Sequence, residues 1–182
     1  MLSALAAVTD RLGLAGTVNT TFNEPYELAR RLSTLDHLSD GRAAWNVVTT
    51  SDAFTGENFR RGGYLDRADR YERAAEFVRL SRELWDSWRP DAVAADRETG
   101  TFVRPGAIGD VGHRGAHFSV EGRFTLPRSP QGHPVVIQAG GLGRGTRVRR
   151  RPRRRDLHPA RQAGGRQALL RRRQAPPGQV RP

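Results

Sequence analysis

The chain has 182 residues, a net charge of +12 and no cysteine. That length suits one ordinary domain, and the lack of cysteine excludes a disulfide scaffold, a cysteine zinc site and a thiol nucleophile. Every basic residue is arginine and the charge is segregated: residues 1–140 hold 17 Arg against 18 Asp and Glu, while residues 141–182 hold 14 Arg against Asp156 alone.

In chain order, Met1 to Val8 is apolar but short, has no basic flank and meets Asp10 and Arg11 at once. It reads as the end of an amphipathic helix, Leu2 to Arg11, and not as a secretion signal. No run approaches the roughly 20 apolar residues of a membrane span, so a cytoplasmic protein is expected. Leu12 to Thr20 (LGLAGTVNT) is a short apolar run suited to a buried parallel strand. Asn23-Glu24-Pro25 then opens a helix, with Pro25 where a missing N–H costs nothing. Tyr26, Leu28, Ala29, Leu32 and Leu35 recur at helical spacing, and Gly41 ends the helix.

Ala43 to Thr50 (AAWNVVTT) is the next strand, followed by a polar, glycine-containing stretch from Ser51 to Asp66. A long helix is predicted from about Asp69 to Trp88. Its face of Ala74, Phe77, Val78, Leu84, Trp85 and Trp88 fits a 3.6-residue period and reads as core. Arg89-Pro90 ends it. Residues 91–115 read as loop, His117 to Phe124 alternates as a strand does, and Pro134 to Gln138 (PVVIQ) is a further buried strand. Strand and helix in alternation imply parallel pairing and an α/β fold, either a barrel or a doubly wound sheet. Three or four strands cannot close an eight-stranded barrel, which takes roughly 250 residues.

Residues 141–182 have no apolar periodicity, and the run Arg149-Arg150-Arg151-Pro152-Arg153-Arg154-Arg155 cannot bury enough to offset chain entropy. Disorder is expected there. The alternative is a small basic nucleic-acid-binding protein whose arginines neutralise phosphates, although the tail has no aromatic residue on which bases could stack. Gly141, Gly143 and Gly145 follow a strand as in a phosphate-cradling loop, but no helix pattern follows them. His113 and His117 stand four apart, a metal-binding spacing on a helix. Arg114-Gly115-Ala116 between them is not helical, so they read as a loop histidine and a strand-edge histidine. No G-x-S-x-G nucleophile elbow occurs.

Six stretches occur in an order that resembles one family: TVNTTFNEPYELARR, LDHLSDGRAAWNVVTT, ENF, RYERAAEFVRLSRELWDSW, HRGAHFSVEGRF and RSPQGHPVVIQAG. The resemblance is to the nitrilotriacetate monooxygenase component A type of the bacterial luciferase-like flavin monooxygenases, and it covers residues 1–140. It implies a TIM-type (β/α)8 barrel, present here in part, and an enzyme that oxygenates a small organic substrate with O₂ and reduced FMN. A separate flavin reductase supplies the FMN, and full-length relatives are expected to be homo-oligomers. The resemblance carries four FMN contacts onto this chain. Thr17, at the end of LGLAGT, matches a threonine that touches FMN. Asn46, in WNVVT, lies at a barrel end that faces the flavin. Tyr71 matches a tyrosine at the FMN phosphate. Arg67 stands where many relatives have histidine, and a guanidinium can pair with phosphate. No catalytic residue carries over.

The resemblance breaks after Gln138-Ala139-Gly140, where the family continues with x-S-x-x-G-R and this chain has Leu142 in the serine's place. The charge jump falls at the same point. Codons read one nucleotide later permit serine at Leu142, then glycine and arginine from Gly145 to Arg147. They also permit I-F-T from Asp156 to His158 and Y-A-D-V-K-R-R-L-A-K-Y-G from Leu170 to Arg181. A frameshift is therefore expected near residue 140, so that residues 1–140 form a partial luciferase-like domain and residues 141–182 an out-of-frame tail. Met1 reads as an internal methionine, with the first two strands and a flavin-contacting aspartate preceding it in relatives. The chain by itself is expected to be inactive.

Overall fold

The computed structural model describes residues 1–50, 58–59 and 66–138, all within the unit Met1–Thr146. The expectations for residues 141–182, and for Gly141, Gly143 and Gly145, lie outside the described residues.

Three parallel strands form the central sheet: β1 (Leu14–Asn19), β2 (Ala43–Val48) and β7 (Val135–Ile137), in the order β1-β2-β7. The register places Thr17 beside Asn46 and Asn46 beside Ile137. Helix α1 (Leu2–Val8) precedes β1, and α2 (Pro25–Leu38) crosses from β1 to β2. Helix α3 (Arg67–Asp86) follows β2. Two antiparallel ribbons then intervene before β7: β3 (Val93–Asp96) with β4 (Thr101–Val103), and β5 (Asp110–Arg114) with β6 (Ser119–Arg123).

The helices start and stop for local reasons. Pro25 opens α2 after Glu24 in extended conformation. At its end Asp40 and Gly41 turn into the left-handed region (φ 54° and 81°), and the Gly41 N–H donates to the Asp36 carbonyl at 2.9 Å. The Asp66 carboxylate caps α3 by accepting from the Arg67 N–H. Asp36 also stitches distant segments: its carboxylate accepts from Ala43 N (3.2 Å), Gln131 N (3.1 Å) and Gln131 Nε2 (2.6 Å).

One face of the central sheet is closed by α2 and α3. Trp45 and Val47 from β2 pack with Leu28, Ala29 and Leu32 of α2 and with Phe77, Leu80, Leu84 and Trp85 of α3. Each core indole N–H has a carbonyl acceptor: Trp45 to Val18 (3.0 Å), Trp85 to Ala29 (3.2 Å) and Trp88 to Phe124 (2.7 Å). These bonds avoid the desolvation penalty of a buried unpaired donor. A smaller cluster of Ala6, Leu14, Leu35 and Ala43 seats α1.

The α/β class and the parallel pairing agree with the sequence expectation. Residues 91–115 do not: they hold β3, β4 and β5 where a loop was expected. The strands β3 and β4 are short and mostly exposed, so they carry no apolar alternation. In β5 only Val111 and His113 are buried, and a histidine at a core position hides the period. The described residues hold seven strands, more than the three or four expected, and four of them are antiparallel. Trp88 lies beyond the end of α3 and pairs with Ile108 in an isolated bridge.

Candidate functional site

Among the described residues, no helix lies on the second face of the central sheet. The strand register puts Ala15, Thr17, Ala44, Asn46, Val135 and Ile137 on it, because side chains alternate across a strand. Asn46 Nδ2 donates to Thr17 Oγ1 at 3.2 Å. The other amide atom, Asn46 Oδ1, is buried without a hydrogen-bond partner. A buried carbonyl oxygen left unpaired is costly, and an incoming N–H or O–H donor would satisfy it.

The C-terminal ends of parallel strands are where α/β folds bind ligands. Here that edge is tightly braced. Thr20 N donates to the Val48 carbonyl at 3.0 Å and Thr50 N donates to Thr21 Oγ1 at 3.2 Å. Asn19 Oδ1 accepts from Phe22 N at 2.9 Å, turning the chain toward α2. From α3, Arg73 reaches the same turn. Its Nε donates to the Thr20 carbonyl at 3.1 Å, and its guanidinium lies 4.0 Å over the Phe118 ring.

The first turns of α3 hold Arg67, Arg70 and Tyr71. The Arg67 guanidinium lies 5.9 Å from the Tyr71 ring centroid. Arg70 is 8 % exposed, and its Nε is buried with no hydrogen-bond partner. A buried guanidinium keeps its charge, and the N-terminus of a helix favours an anion. This end of α3 therefore suits a phosphate group. Arg70 went unnoticed in the sequence, although it opens the stretch RYERAAEFVRLSRELWDSW and directly precedes Tyr71.

The four sequence-expected contacts thus form two pairs. Thr17 and Asn46 meet on the open sheet face, and Arg67 and Tyr71 meet at the start of α3. Among the described residues no hydrogen bond or ring contact joins one pair to the other.

His113 is not a loop residue. It is buried in β5 with its ring between Glu76 and Glu83 of α3. Burial pushes the Glu76 carboxyl up. The His113 hydrogen bond, the Phe118 and His117 amides and the His117 charge together carry it below its ordinary value. Among the described residues, no group of three or more His, Cys, Asp or Glu is placed to hold a metal.

The description "Luciferase-like monooxygenase" matches residues 1–151. The chain belongs to the luciferase-like monooxygenase family. The match to this family runs through every described element and eleven residues past the expected break at 140. Among its relatives, the N-acetyl-S-(2-succino)cysteine monooxygenase of Bacillus subtilis (strain 168) is 48 % identical over 145 residues, 80 % of this chain and 33 % of that protein. Nitrilotriacetate monooxygenase component A of Aminobacter aminovorans is 46 % identical over 140 residues, covering 77 % of this chain and 31 % of that protein. The crystal structure of a riboflavin lyase with modified FMN and its substrate riboflavin is 41 % identical, with a TM-score of 0.72 over 76 % of this chain and 31 % of that one. The chain therefore spans about a third of the length of the relatives it matches. No described helix is long and apolar enough to cross a membrane. The nucleic-acid alternative rests on residues 141–182, outside the described residues, and the family match does not favour it.

Proposed function

We propose that this chain is part of a cytoplasmic, FMN-dependent luciferase-like monooxygenase that oxygenates a small organic substrate with O₂. A separate flavin reductase supplies its reduced FMN, and the whole enzyme is a homo-oligomer. Residues 1–140 would be one arc of a (β/α)8 barrel, with the open sheet face turned to the barrel interior, and residues 141–182 an out-of-frame tail. The observation that carries this reading is the Asn46–Thr17 pair on that face, with Asn46 Oδ1 buried and unpaired.

The residues present fit FMN. Asn46 Oδ1 would accept from a ring N–H of the flavin, with Thr17 holding the amide in orientation through Nδ2. Arg70, Arg67 and Tyr71 would hold the phosphate at the start of α3. Ile137 and Val135, apolar and on the same face, would exclude water from the flavin's surroundings. When bound, reduced FMN supplies the electrons that activate O₂; the protein's share is binding, orientation and a dry site. With one arc of the barrel present, the 182-residue chain is expected to retain no FMN and to be inactive by itself.

The test is a chimera in which residues 1–140 replace the matching residues of nitrilotriacetate monooxygenase component A. With a flavin reductase and NADH present, it should retain FMN and take up O₂ when substrate is added. Asn46→Ala in the chimera should weaken FMN retention about tenfold, the loss of one or two buried hydrogen bonds. A folded chimera that holds no FMN, or an Asn46→Ala variant that holds it as well as its parent, would overturn the assignment.

A further inference from the structure

His113 and its two carboxylates take no part in the proposed chemistry. Nδ1 of His113 lies 2.8 Å from Glu83 Oε2, and Nε2 lies 3.2 Å from Glu76 Oε1. An ionised carboxylate only accepts. Both ring nitrogens can therefore hydrogen-bond at once only when both carry a proton.

The two arms are unequal. Glu76 is buried, and its oxygens also accept from His117 N at 3.1 Å and Phe118 N at 2.9 Å. Glu83 is 41 % exposed and has Arg79 as a second partner 4.0 Å away. If the ring loses a proton, Glu83 can turn to water and Arg79. Glu76 has no such escape.

Arg73, on α3, touches the His117 carbonyl at 3.5 Å and has Glu24 of the β1–α2 turn 3.9 Å away. On the hairpin itself Arg114 pairs with Glu121 and Arg123 with Asp110, all well exposed. Arginines and carboxylates keep their charge across the neutral range, whereas an imidazole can change its charge within it.

We propose that His113 is a proton-operated clasp. With both ring nitrogens protonated it ties the β5–β6 hairpin to two carboxylates of α3; on losing one proton it releases Glu83 and loosens the hairpin.

Hydrogen exchange on the 182-residue chain tests this, at about pH 5.5 and about pH 8.5, which bracket ordinary histidine titration. The amides of Gly115, His117 and Phe118 report on the hairpin, and those of α2 serve as reference. After correction for intrinsic rates, hairpin protection should fall about tenfold more than that of α2 over this span, the effect of losing one charge-assisted hydrogen bond. His117→Gln should keep that fall. Glu83→Gln should abolish it, because a side-chain amide can accept from a protonated Nδ1 and donate to a bare one. Glu83 is exposed enough to tolerate the change. Hairpin protection that tracks α2 in the parent chain, or that falls equally in Glu83→Gln, would overturn the clasp.

Discussion

A methyl group added at Gly115 would stand 2.0 Å from Glu76 Oε1 and 2.5 Å from Glu76 Cδ. The carboxylate it meets is buried and held by two amides, so it cannot swing aside. Gly115→Ala should therefore cost about 2–3 kcal/mol, from overpacking and from broken hydrogen bonds. Urea unfolding would measure it, and a cost under about 0.5 kcal/mol, the usual size of a surface change, would show that Glu76 moves freely. Glu76 also sets an acid limit. Its folded pKa lies below its ordinary value of 4.5, so the native state binds fewer protons than the unfolded chain in that range. Its contribution is present above the unfolded value and is lost as pH falls through the folded one. Asp86 acts in the same direction. Burial pushes its carboxyl up, but Arg128 and His133 carry it below 3.8. Thermal melts from neutral pH down to about pH 3 should show stability falling at the acid end, less steeply in Glu76→Gln. An equal slope in both would remove Glu76 from the account. The spacing of His113 and His117 read as a loop and a strand-edge histidine rather than a metal pair, yet the partners of His113 are 30 and 37 residues away on α3. Local spacing holds no sign of such a contact; the glycine between the two histidines was the only trace of a close approach.

At the scale of elements, α3 is the strut on which the other segments hang. Its Phe77, Leu84 and Trp85 bury against the sheet and α2, as their period foretold, and Leu80 joins them without having been expected there. Its charged residues were less legible, because a helical Arg or Glu reads by default as solvated surface. Arg73 is buried and donates to the carbonyls of Thr20, Asn23 and His117. It thus links the turn after β1 to the β5–β6 hairpin. Arg73→Met keeps the unbranched stem but strands those carbonyls, and should cost about 3 kcal/mol. Hydrogen exchange should rise at both Thr20–Glu24 and His117–Phe118. A rise at one segment alone would mean that Arg73 does not couple them. The strands β1, β2 and β7 were visible because parallel strands buried among helices are runs of apolar and small residues. The ribbons were not: exposed two-stranded pairs are held by turns and local bonds, such as Asp96 accepting from Glu98 N at 2.9 Å.

Across the whole molecule the central sheet is asymmetric. Parallel sheets are ordinarily covered on both faces. Here α2 and α3 cover the Trp45 face, while Val135 and Ile137 on the other face are 46 % and 43 % exposed. The alternation along WNVV and VVI fixes which side chains share that face, so its make-up was readable from residues 43–48 and 135–137. What lies against it was not readable, because the partners of a barrel interior come from strands far apart in sequence. In the proposed barrel that cover is the rest of the enzyme. The 182-residue chain should therefore bind an apolar dye such as ANS and associate with itself as its concentration rises, since exposed apolar patches and open sheet edges favour both. Replacing both Val135 and Ile137 by threonine keeps their β-branched shape and removes apolar surface; dye binding should drop by about half. The chimera with the matching two thirds of a relative should bind little dye even with Val135 and Ile137 intact. Strong dye binding by the folded chimera would show that this face is not interior, and no dye binding by the 182-residue chain would show that the face is already covered by the chain's own residues.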